Sequence, residues 1–351
     1  VRSELTEPRP APRSMTEDLS SDTLERLRLP ADPAVALTRL VEAGADRVPW
    51  PAQGRTLMRW RALAEVAAHD LSLAKLYEGH TDALAILAEL HGPAVPPGSR
   101  WGTWCAEPPD ARVAMRPEEG CPGAVRLDGR KAWCSGAAGL THAIVSVHDE
   151  EGRASLAAVS LKQPGVRVSD EGWEAVGMAA SASVDVHFDH ALAVPVGRPG
   201  DYTSRPGFWQ GGAGIAACWW GGALGIARQV LAIAAQGGKP DAHRLAHLGA
   251  IDAALAGATA VLREAAHWID THPADDARRV ALNARLVVEQ AAETVLRHAG
   301  RALGAAPLCR DARFARAMAD LPVYLRQSHA ERDLAALGQI AVDERSATWV
   351  L

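Results

Sequence analysis

The sequence predicts an α+β protein in three parts: an N-terminal helical domain, a central antiparallel β-barrel or sandwich, and a C-terminal four-helix bundle. Two observations carry this. The hydrophobic period changes from helical to strand-like near Trp101 and returns to helical beyond Phe208. Pro-Gly, Asp-Gly and Glu-Gly pairs punctuate the middle stretch, as turns between antiparallel strands do. At 351 residues the chain is long enough for two or three domains around a large buried interior.

Residues 1–25 are polar and proline-bearing and read as a flexible leader. The helical domain takes residues 26–98. Leu, Ala and Ile recur at i, i+3, i+4 through residues 33–47 and 55–91, broken at "PWPAQG" and closed by Gly92-Pro93. The β-domain takes residues 99–197, in the short runs "RVAM", "AVRLDGRKAW", "HAIVSVHD", "SLAAVSL", "GVRVSD" and "SVDVHFDHALAVP". The bundle takes residues 198–343 in four long segments, 212–236, 241–271, 274–303 and 311–340, whose short joins imply antiparallel neighbours. Residues 344–351 read as a tail.

A formal net charge of -5 leaves no basic surplus for a nucleic acid or an anionic membrane. The apolar stretches read as broken by charges, Gly or Trp before the roughly 20 residues that span a bilayer. Residues 1–25 hold no apolar signal core, so a soluble cytoplasmic protein is the expectation. The five Cys are odd in number and scattered, with no C-x-x-C, so they read as reduced thiols and no metal is expected. "GGAGIA", Gly211 to Ala216, follows no strand and opens a long helix of small residues, which reads as close helix packing rather than dinucleotide binding.

The stretch "RKAWCSGAAG", Arg130 to Gly139, sets an indole, a thiol and a hydroxyl side by side. Ser135 lacks the G-x-S-x-G elbow of a nucleophile, and Cys134 lacks a partner His. Strand alternation puts Trp133 and Ser135 on one face and Cys134 on the other. An indole plane with a hydroxyl two residues on suits a flat, hydrogen-bonding ligand such as a flavin; a buried strand end is the plainer alternative.

Three segments in order resemble the acyl-CoA dehydrogenase superfamily over roughly residues 35–343. "WCAEPP" at Trp104 is similar to the family's L-T-E-P segment. "LDGRKAWCSGA" is similar to its G-x-K-x-[WF]-[IC]-[ST] strand, and "WEAVGMAASASVDVHFDHALAVP" to its G-M-R strand pair. The resemblance implies FAD, with Trp133 stacked on the isoalloxazine, Ser135 near its N5 edge, and the backbone of Cys105 and Ala106 facing the pyrimidine ring. It also implies a homodimer or homotetramer built through the bundle, the richness of residues 212–236 in Gly, Ala and Trp supplying the apolar surface. Each FAD would then meet Lys239, His243 or Arg244 of the neighbouring chain, and Gly304 falls with these cofactor-binding residues.

The departures are as informative. Ala106 stands where the family has Thr, and Pro109-Asp110-Ala111-Arg112 replaces its A-G-S-D run. "QGGKPDAHRLAH" replaces the R-x-x-F-G run that touches the neighbour's FAD. The family's glutamate base, in Y-E-G-T, would fall near Ser328 in "VYLRQSHAERDLAALG", where no carboxylate stands. Arg326, His329 and Asp333 are offered instead and would share one helical face, His329 and Asp333 being i, i+4. A solvated ion-pair face is the alternative. Glu78, in "YEGH", is a second acid in the domain that lines the family's acyl pocket, against a reading as an incidental polar residue of a core helix.

The resemblance puts first an FAD-dependent oxidoreductase acting on a CH-CH group of an acyl thioester. A flavin monooxygenase on the same fold, with Arg326 and His329 managing reduced flavin and oxygen, is the alternative. A catalytically degenerate flavin-binding subunit is the third. In each catalytic case the substrate is a small molecule.

Overall fold

The computed structural model describes residues 19–235, 241–345 and Trp349. The helical domain is α1 (Ser21–Leu27), α2 (Pro33–Glu42), α3 (Thr56–His69) and α4 (Leu71–Glu89). Asp32 caps α2 by accepting the N–H groups of Ala34 and Val35 just before Pro33. Asp70 ends α3 and caps α4 by accepting from Leu73 N–H, so the two helices join without a loop. Leu19 and Leu24 are buried. Residues 19–25, read as leader, therefore belong to the packed domain; one short turn holds too few apolar residues to show a period.

The β-domain holds β1 (Trp101–Trp104), β2 (Val113–Pro117), β3 (Val125–Cys134), β4 (His142–His148), β5 (Ala154–Ser160), β6 (Val166–Val168) and β7 (Val184–Val196). Strands β4, β2, β3, β7 and β5 follow one another, and β5 pairs back onto β4, which closes a barrel. The expected all-antiparallel sheet is corrected to a mixed one. β1 runs parallel to β4 from Trp101↔His142 to Trp104↔Val145, and β2 meets β4 in parallel at Ala114↔His148. A closed ring of five strands cannot alternate direction all the way round, so one seam must be parallel.

Asp128-Gly129, read as a turn, lies inside β3, where the register against β7 slips between Leu127 and Gly129. Gly129 has φ +131°, and a Cβ there would sit 2.3 Å from Arg112 O. The pair is a bulge that bends the strand around the barrel.

The C-terminal part is α5 (Asp201–Ser204), α6 (Gly207–Ala235), α7 (Ala242–Thr271), α8 (Arg278–Leu303), α9 (Ala305–Arg310), α10 (Ala312–Leu325) and α11 (Glu331–Asp343). Helix α6 is the central rod, and its small residues let α3 approach closely. A Cβ on Gly221 would stand 2.2 Å from Ala64 O, so Gly221→Ala is expected to destabilise the protein by about 1–3 kcal/mol through overpacking. Denaturant titration with an unchanged midpoint would refute that contact.

Most of the Gly and Ala residues of α6, expected to supply an intersubunit surface, are instead buried within the chain. The exposed small-residue face is on α7, where Ala246, Gly249, Ala253, Ala256, Gly257 and Ala260 all face outward. Helix α7 also corrects the reading that no segment reaches membrane-spanning length. It is long and apolar enough by length and composition, because alanine rather than leucine carries its apolarity.

The fourth predicted bundle segment, residues 311–340, is two helices rather than one. The chain leaves α10 in tightened turns, Arg326 N–H to Val323 O at 3.1 Å and Ser328 N–H to Leu325 O at 2.9 Å, and reverses at Ala330 with φ 45°. Side chains supply the local alternative to helix. Ser328 Oγ accepts from Ala330 N–H at 3.1 Å, and Asp333 accepts from His329 N–H at 3.1 Å.

Candidate functional site

Trp133, next to last in β3, has φ +58° and is 51 % exposed. A tryptophan held in the left-handed region with half its surface in solvent is costly on both counts. The register of β3 against β7 also slips between Lys131 and Cys134, so simple alternation fails here. Cys134 is fully buried and Ser135 nearly so. The expected shared face is thus not a product of the pleat: Trp133 projects outward, while Ser135 enters a row of hydroxyls.

That row is built from two segments. Ser135 Oγ lies 2.7 Å from Ser183 Oγ, Ser183 Oγ lies 2.9 Å from Ser181 Oγ, and Ser181 Oγ donates to Met178 O at 2.8 Å. Met178 N–H donates to Asp320 on α10, a carboxyl whose pKa burial raises. The end of β3 is in this way tied to the helix that leads into the α10–α11 break. Ser181 and Ser183 lie in the motif that carried the family resemblance but were not singled out; their spacing with Ser135 has no one-dimensional signature.

The end of β1 lies alongside. Trp104 Nε1 donates to Ser135 O at 3.3 Å. Cys105 is half-buried, its thiol pushed up to about 11 by burial, and Ala106 is exposed. Glu107 reaches Lys131 at 3.6 Å and His148 at 3.5 Å, which pins the segment to the barrel. The Lys131 ammonium is fully buried, which lowers its pKa, and it donates to Ser146 O at 3.0 Å.

The α10–α11 break carries the second group. His329 Nδ1 lies 3.4 Å from Asp333 Oδ1, and the imidazole is 57 % exposed against 12 % for the carboxylate. Arg326 does not join them on one helical face, because the helix ends at Leu325. It reaches across to α8 instead, to Glu289 at 2.8 Å and Glu293 at 3.4 Å. Arg285, also on α8 and missed in the sequence, lies 4.0 Å from Asp333. Burial lowers its pKa against the opposing fields of Asp333, Glu289 and Glu78.

Glu78 is therefore within electrostatic reach of this group, though its own ion pair is with Lys75 at 2.9 Å. One turn on, Asp82 is held up by burial and by Glu78. His80 is structural: Nδ1 accepts from Trp101 N–H at 3.1 Å and Nε2 meets Asp46 at 3.3 Å, clamping α4 to β1.

Of the residues expected to meet a neighbour's cofactor, Arg244 and Gly304 lie at the end of the bundle away from Arg285 and Glu289. Arg244 Nε donates to Ala302 O at 3.3 Å, two residues before Gly304, so these two come together. His243 is exposed beside them, and Lys239 lies outside the described residues.

No family model matches the chain. Over 105 residues it is 34 % identical to the amino sugar nitrososynthase DnmZ of Streptomyces peucetius, a match spanning 27 % of this chain and 26 % of that protein. The solved structure of dibenzothiophene monooxygenase TdsC from Paenibacillus sp. A11-2 superposes with a TM-score of 0.75 at 20 % identity, over 92 % of this chain and 95 % of that one. KijD3 in complex with FMN and dTDP-3-amino-2,3,6-trideoxy-4-keto-3-methyl-D-glucose superposes with a TM-score of 0.76 at 20 % identity, over 92 % of this chain and 89 % of that one. At these identities the likeness is one of fold, and this chain has the fold of these structures.

Proposed function

We propose that the chain is a flavin-dependent monooxygenase that takes reduced FMN and O2 and inserts one oxygen atom into a small molecule. The observation that carries this is the α10–α11 break. Where the family resemblance would place a glutamate base stands Ser328, followed by an imidazole oriented by a carboxylate. Nothing at that position suits abstraction of an α-proton; an imidazole that relays a proton suits oxygen chemistry. The similarity in fold to a monooxygenase and to an FMN complex supports the same choice over acyl-CoA dehydrogenation.

FMN is preferred to FAD because the segments that would hold a pyrophosphate are replaced, at Pro109–Arg112 and at residues 236–247. The fit to a flavin rests on the exposed indole of Trp133 beside the Ser135 end of the hydroxyl row. When bound, reduced flavin supplies two electrons to O2, so that one oxygen atom enters the substrate and the other leaves as water. Trp133 would cover one face of the flavin, Ser135 and the Cys105–Ala106 backbone would hold its polar edge, and His329 would move a proton.

The reading is tested by two mixings. Anaerobic titration of the flavin-loaded protein with acyl-CoA thioesters is expected to leave the visible flavin band unbleached. Reduced FMN under O2 is expected to be consumed faster with the protein than without it. Bleaching by a thioester would restore the dehydrogenase reading, and inertness in both would leave a degenerate subunit.

We also propose a homodimer or homotetramer in which α7 meets a second copy. Small residues at i, i+3, i+4 let helices approach closely, and an exposed face of this kind on a lone chain is a liability. Light scattering is expected to give at least twice 37.1 kDa, and Ala253→Glu to reduce it; a wild-type monomer would refute the interface.

A further inference from the structure

We infer that Arg285 is the positioning residue of the His329 site, holding both the helix break and the carboxylate that orients the imidazole. Its guanidinium joins three elements. Nη1 donates to Gly212 O on α6 at 3.2 Å, Nη2 donates to Gln327 O at 2.8 Å, and Nη2 lies 4.0 Å from Asp333 Oδ2. The same group sits over the fully buried Trp219 ring at 5.0 Å, a cation–π contact.

Each contact answers a need created by the break. Were α10 continuous, Gln327 O would accept from an N–H four residues on; with the helix ended it is an orphan carbonyl, and Arg285 takes it. Asp333 is nearly buried, where a carboxylate without a partner would be unfavourable; Arg285, 4.0 Å away, is that partner. The Asp333 carboxylate so placed accepts His329 N–H and lies 3.4 Å from His329 Nδ1. The ring is then held from its Nδ1 side, with Nε2 left to exchange a proton outward.

Glu289 completes the arrangement. It pairs with Arg326 at 2.8 Å and also acts on Arg285, so Arg326 serves the site's charge balance through Glu289 on α8 rather than by contact with the imidazole. No sequence periodicity joins Arg285 to Gln327, 42 residues apart.

This inference rests on the proposed oxygen chemistry, and a double-mutant cycle separates the two. The readout is a ratio of rates, that of H2O2 release from reduced FMN in air with the protein over that without it, for wild type, His329→Ala, Arg285→Met and the double variant. Each single substitution is expected to change that ratio by about tenfold, with Arg285→Met adding nothing once His329 is gone. Arg285→Lys is expected to recover part of the effect, since it keeps the charge but not the fork; it also carries the cycle if Arg285→Met does not fold.

Independent, multiplying effects of the two substitutions would overturn the inference. So would an Arg285 variant that lowers the melting temperature yet leaves the H2O2 ratio unchanged. A His329→Ala protein with an unaltered ratio would instead overturn the proposed function.

Discussion

Replacing Trp133 by alanine is expected to weaken FMN binding by about 2–3 kcal/mol, on the order of 30- to 100-fold in Kd. About half of the indole surface is open to solvent, and covering roughly 100 Å² of it at about 25 cal/mol per Å² accounts for the figure. Trp133→Phe should retain most of the affinity, because a smaller aromatic plane still stacks.

The backbone offers an independent check. Trp133 holds φ +58°, a conformation that costs a non-glycine residue about 1 kcal/mol. Trp133→Gly should therefore raise the stability of the flavin-free protein while lowering flavin affinity. Opposite movement of the two quantities is the signature of strain kept for a ligand. Flavin fluorescence titration giving the same Kd for Trp133→Ala and wild type would remove the indole from the site.

Much of the architecture is legible in the sequence because hydrophobic period is a local property. Helices α3 and α6 to α8 and all the predicted strand runs fall within a few residues of their expected places. What escaped is non-local. β1 gives no hairpin signal, because its partner β4 runs parallel to it and begins 38 positions on at His142. The α10–α11 break escaped because no Pro or Gly stands between Leu325 and Leu334 to mark it, while the groups that end the helix are capping side chains, Ser328 and Asp333.

The site follows the same division. Trp133 and Ser135 were singled out by residue type and spacing, yet alternation gave the wrong geometry, since a register slip intervenes between Lys131 and Cys134. His329 and Asp333 were found by their spacing and do meet, but through the cap of a new helix. Arg326 was expected beside them and turned to α8, because the break rotates it away. Arg285 and Glu289 carry no motif; on α8 they read as ordinary polar positions, and only packing makes them neighbours of the break.

His329→Ala is expected to lower coupled oxygenation by about 100- to 1,000-fold, the range of a positioned acid or base, while leaving flavin affinity within about twofold. The imidazole is more than half exposed and adds little to the core, so folding stability should change by less than about 0.5 kcal/mol. Those three expectations together distinguish a proton-transfer residue from a packing one. Asp333→Asn should show a smaller loss, because the amide still accepts from His329 N–H but no longer attracts the ring electrostatically.

The competing account is a solvated ion pair, which contributes about 0–1 kcal/mol to stability and nothing to turnover. It predicts full activity for His329→Ala and a stability effect that fades with added salt. The geometry argues against it. Asp333 is the buried member of the pair, already compensated by Arg285, so it has no electrostatic need of His329; the imidazole is the partner that depends on the contact for its orientation. Product formation per reduced FMN, measured for the variant beside wild type, separates the accounts, and unchanged coupling would assign His329 to the surface.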